Sequence, residues 1–184
     1  MDDLSDLSDL SDLFKTNPRR LAELLDPTAG AADLCEAGDL ADVHLHQLSA
    51  PLAAELSAHD PDIAARLRAW REAAGEPLET FGDVLRARRP PLALLEAIKE
   101  HAKISQARPG SGLPVEVATV LYMTSIALAL DRYGERITAL DDDALEAGLR
   151  WTSSLSWLDP STRELVERAL ALLPGPGGSS SSRP

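Results

Sequence analysis

Residues 117–130 read Val-Ala-Thr-Val-Leu-Tyr-Met-Thr-Ser-Ile-Ala-Leu-Ala-Leu, fourteen positions without a charge, bracketed by Glu116 and Asp131. At about 100° per residue, Val117, Val120, Leu121, Tyr122, Met123, Ile126, Leu128 and Leu130 fall on every side of a helical cylinder rather than along one stripe. A helix that is apolar all round must be enclosed by protein or by lipid. Fourteen residues rise roughly 21 Å, short of a hydrocarbon core of about 30 Å. The pattern therefore predicts a central core helix, spanning residues 115–133 with its flanks.

The rest of the chain alternates amphipathic runs with breakers. Asn17-Pro18, Asp60-Pro61 and Asp159-Pro160 each place a capping side chain before a proline, and Pro91 and Pro114 also precede apolar-periodic segments. These are five predicted helix starts. The first leads into residues 19–25, with Leu21, Leu24 and Leu25 on one side. A second segment, 28–37, should end at Gly38, and a third, 39–57, shares Leu45, Leu48, Leu52 and Leu56 on one face, with Pro51 dividing or bending it. After Asp60, Ile63, Leu67 and Trp70 recur at helical spacing up to Gly75. Thr80 and Asp83 have capping-box spacing for a helix reaching Arg88. Residues 92–106 put Leu94, Leu95, Ile98 and Ala102 on one face, and residues 108–114 form a Gly/Pro loop into the central helix, which should stop at Tyr133-Gly134. The three acids Asp141, Asp142 and Asp143 suit a helix N-terminus, followed by Leu145, Leu149 and Trp151. In the last helix, Ser161 and Glu164 stand in capping-box register, and Leu165, Val166, Ala169, Leu172 and Leu173 are its expected buried face, up to Pro174.

No run alternates with period two for long enough to make a strand. The expected fold class is all-α: a single globular helical bundle of about eight or nine helices around the central helix at residues 115–133. Residues 1–15 form a flexible acidic Asp-Leu-Ser arm, 16–174 the helical domain and 175–184 a disordered Gly/Ser/Pro tail. In the arm, Leu4, Leu7, Leu10 and Leu13 are three apart, a spacing that spreads them over half the circumference of a helix. Two readings stand: a segment that folds into a partner's groove, with its aspartates at the positive end of the induced helix, or a repeat expansion without a role.

Composition sharpens this picture in three places. With 2 Phe, 2 Tyr and 3 Trp in 184 residues, the core must be built of small and medium aliphatic side chains, which favours closely packed helices. The single cysteine, Cys35, cannot form an intramolecular disulfide, and no basic region followed by an apolar run opens the sequence, so the expected location is cytoplasmic. The net charge of −12 is uneven: residues 1–60 hold 13 acids and 3 bases, residues 61–108 hold 7 and 9, and residues 109–184 hold 10 and 6. Such a chain repels nucleic acid and anionic membrane at long range, and only its middle third offers a basic face.

No motif specifies a chemistry. His44, His46, Glu55 and His59 suggest a metal, but His44 and His46 stand about 200° apart on a helix, and the Glu55–His59 pair runs into the Asp60 cap where helical geometry should fail. No metal site and no cofactor is assigned. His101 shares a face with Leu94, Ile98 and Ser105; it is either an acid or base beside a pocket completed by Tyr122 and Thr124, or a histidine that merely packs. The Gly110-Ser111-Gly112 loop fits neither a nucleophile elbow nor a phosphate loop. Thr119, Thr124 and Ser125 should bond back to carbonyls one turn earlier. Arg66, Arg68 and Arg71, with Arg86, Arg88 and Arg89, concentrate positive charge and could receive an acidic protein, a phosphate or the chain's own arm. Trp151 and Trp157 mark an interface if exposed and core if buried.

The leading expectation is a non-enzymatic protein acting through protein contacts, as adaptor, regulator or homo-oligomer, with the arm leucines, the arginines and the two tryptophans as contact candidates. The alternative is an enzyme or small-ligand binder with its pocket near His101. A third is an anion or nucleic-acid binder through the arginines at residues 66–89. Nucleic acid is the disfavoured partner, because the remaining surface is repulsive, and no membrane association is expected.

Overall fold

The computed structural model describes residues 32–107 and 113–175, with side chains omitted at 32–39, 106, 107 and 115. The arm, the predicted first helix at 19–25, most of the 108–114 loop and all but the first residue of the tail lie outside the described residues. The chain is all-helical, with eight helices and no strand among those residues: α1 (Ala32–Ser49), α2 (Leu52–Ser57), α3 (Ile63–Ala74), α4 (Phe81–Arg86), α5 (Leu92–Ala107), α6 (Val115–Tyr133), α7 (Asp142–Ser154) and α8 (Pro160–Ala171).

Helix α6 is the axis of this arrangement. Every residue from Val117 to Leu130 is buried, and the four successive positions Ile126, Ala127, Leu128 and Ala129, which between them sample the full circumference, are 0, 0, 1 and 0 % exposed. Helix α5 packs along it most extensively, α8 lies against both α6 and α7, and α1 and α7 also touch it. Gly134 ends the helix at φ 63°, with the Gly134 amide donating to the Leu130 carbonyl (2.9 Å) and the Glu135 amide to that of Ala129 (3.2 Å). A side chain with Cβ would be strained at that angle, so glycine is the natural stop. The charges that close the apolar run are used at once: Asp131 pairs with Arg132 beside it and with Arg168 of α8 (3.1 Å).

The main core joins α2 to α8, through Leu52, Leu56, Ile63, Leu67, Phe81, Val84, Leu94, Leu95 and Ile98 on one side of α6 and Leu145, Leu149, Leu165 and Val166 on the other. A smaller core gathers Val120, Trp151 and Leu158, with Leu155 and Trp157 against them. The turn carrying that second core is held by Arg163, which donates to the carbonyls of Ser153 (3.0 Å) and Leu155 (2.7 Å). Longer ties fix the loops: the Tyr133 hydroxyl donates to the Pro90 carbonyl (2.7 Å), and the Lys99 ammonium to that of Ile137.

The expected capping box is present, with Asp83 N–H donating to Thr80 Oγ1 (3.1 Å) and Thr80 N–H to the Asp83 carboxylate (3.0 Å). Asp141 caps α7 by accepting from the Ala144 amide (2.9 Å). Asp141→Ala should lower stability by roughly 0.5–2 kcal/mol, seen as an earlier urea midpoint at unchanged slope; an unmoved midpoint would show that the cap is not felt.

Several boundaries differ from the sequence expectation. Gly38 does not stop a helix; α1 runs through it to Ser49, because an interior glycine costs only about 1 kcal/mol, less than an eighteen-residue helix can absorb. Pro51 does divide the segment, and the helical register restarts there. The four-leucine face therefore fails: Leu52 and Leu56 are buried in α2, whereas Leu45 on α1 is 58 % exposed. Helix α3 begins at Ile63 rather than after Asp60, since Asp60 Oδ1 accepts the Asp62 amide (3.1 Å) in a preceding turn. Helix α4 ends at Arg86, short of Arg88, where Ala87 turns extended. In α8 the cap is Asp159, which accepts from the Thr162 amide (3.0 Å) and hydroxyl (2.6 Å), so Ser161 plays no capping part. Because α8 stops at Ala171, Leu172 is 58 % exposed instead of buried.

Candidate functional site

Helix α5 turns Leu94, Ile98, His101 and Ser105 inward, as their spacing requires, and all four are buried. His101 is 5 % exposed. Its ring stacks on Phe81 of α4 (centroids 6.2 Å apart, planes 23°) and tilts against His59 (5.0 Å) in the turn after α2. Its Nε2 lies 3.9 Å from Glu55 Oε2, too far for a hydrogen bond, and neither ring nitrogen finds a hydrogen-bond partner among the described residues. Burial, helped by the like charge of His59, pushes the imidazole down to about 4, so at neutral pH the ring is uncharged.

Glu55, His59 and His101 thus form one cluster, although nothing in the sequence links His101 to the other two. Glu55 and His59 stand at helical i, i+4 spacing that should fail at the Asp60 cap, and α2 does end at Ser57. What joins the pair to His101 is the packing of α2 on α5, a long-range contact with no local signal. Among the described residues no group of three His, Cys, Asp or Glu side chains is placed to hold a metal ion.

The polar residues that would complete a pocket are otherwise engaged. The Thr124 hydroxyl donates to the Val120 carbonyl (2.8 Å) and Ser125 to Leu121 (2.7 Å), the one-turn back-bonding expected of hydroxyls in an apolar helix. Tyr122 is buried with its hydroxyl 3.3 Å from Thr138 Oγ1. Between α4, α5 and α6 lies a cavity of about 10 Å³, lined by Phe81, Val84, Leu95, Ile98 and Leu121 with Thr124 and Ser125. That is room for one water at most, and neither His101 nor Tyr122 lines it.

The six arginines are all exposed, but their charges are partly spent within the chain. Arg66 pairs with Asp60 and lies over the Trp70 ring (5.6 Å), Arg71 with Glu79 (2.7 Å) and Arg86 with Asp83 (3.1 Å). The Arg88 amide donates to Glu76 (3.1 Å), and Arg89 covers the ring of Tyr133 (5.0 Å). An incoming anion would have to compete with three carboxylates. Trp151, considered for an interface, is 2 % exposed and belongs to the second core; Trp157 is half-buried at its edge. Leu4, Leu7, Leu10 and Leu13 lie outside the described residues.

Among the described residues no helix is long and apolar enough to cross a membrane. Compared with known proteins, the chain matches no family model, no curated protein and no solved structure.

Proposed function

We propose that the protein acts without catalysis, by binding another protein through its N-terminal region. The observation that carries this reading is the acidic arm at residues 1–15, whose Leu4, Leu7, Leu10 and Leu13 fold into a partner's groove with the aspartates at the positive end of the induced helix. On α1, Leu45 is 58 % exposed beside the buried His44 and Gln47 and adds one apolar side chain to the same region of the chain. The engagement of Thr124, Ser125 and Tyr122 inside the bundle weighs for this reading over a pocket that those residues would complete beside His101.

Deletion of residues 1–15 and Leu45→Glu are the tests, with intact chain, deletion and variant used as baits under identical conditions and native mass measurement of what each retains. Both changes should leave the melting temperature within a few degrees of the parent, since surface changes stay within about 0.5 kcal/mol, and both should reduce capture at least tenfold. Equal capture by all three baits would refute the proposal. A large fall in melting temperature on deletion would make the arm part of the fold and refute its role as a binding segment.

A further inference from the structure

We draw no further inference here: the strongest candidate, the cluster of Glu55, His59 and His101 where α2 packs on α5, carries nothing new, because among the described residues its side chains are not placed to hold a metal ion and its remaining feature, the lowered basicity of the buried His101 ring, belongs to the site already described.

Discussion

Ile126→Ala is expected to cost the fold about 2–5 kcal/mol, the range for deleting a large buried aliphatic side chain and leaving its space partly unfilled. Ile126 is completely buried, and its helix neighbours Ala127 and Ala129 are equally so, which leaves no flexible surface side chain to close the gap. A domain of this size is held by about 5–15 kcal/mol in all, so the variant should unfold far earlier in urea at a similar slope. The control is Leu172→Ala, at a leucine 58 % exposed beyond the end of α8, which should move stability by no more than about 0.5 kcal/mol. Equal small effects at both positions would mean that α6 is not the centre of the packing.

A second large effect is expected from acid, through His101. The folded chain holds this imidazole at about 4, with burial the main cause and His59 the second, against an ordinary value of 6.5. Its folded affinity for a proton is depressed, so the unfolded chain takes up the proton first. Stability linked to His101 is therefore complete above pH 6.5, falls as pH drops toward about 4, and changes no further from this source below that. The two limits differ by about 3 kcal/mol. His101→Leu keeps an apolar filler against Phe81 and removes the titration, so its unfolding free energy should change much less than the parent's between pH 7 and 4.5. An identical pH slope in variant and parent would show that His101 is not the group responsible. This loss is global, touching every helix.

Legibility in the sequence followed the range of the interaction. The axis at residues 117–130 could be read directly because a charge-free segment with large apolar side chains on all sides has one stable environment in a folded chain, and α6 occupies it. Caps and stops were equally legible where one side chain or one glycine decides them, as at Thr80, Asp159, Gly75 and Gly134. Boundaries failed where two local signals competed. Gly38 was outweighed by the helix around it, and Ser161 yielded to Asp159, whose carboxylate reaches the Thr162 amide first. Leu45 was misplaced because periodicity cannot be carried across Pro51. The cluster of Glu55, His59 and His101 was not legible at all, since helix packing rather than spacing assembles it. The neutral state of His101 was likewise hidden, because desolvation depends on which face of a helix the remainder of the chain covers.

The architecture requires that α6 be enclosed from every direction, and cysteine accessibility tests this most directly. In a Cys35→Ser background, single cysteines at positions 126, 127, 128 and 129 sample the four sides of the helix, with Leu172→Cys as the exposed reference. Enclosure predicts that all four react with a thiol reagent only as fast as the chain unfolds, orders of magnitude slower than the reference. One position labelling at the reference rate while its neighbours stay protected would reveal an open side and contradict the architecture.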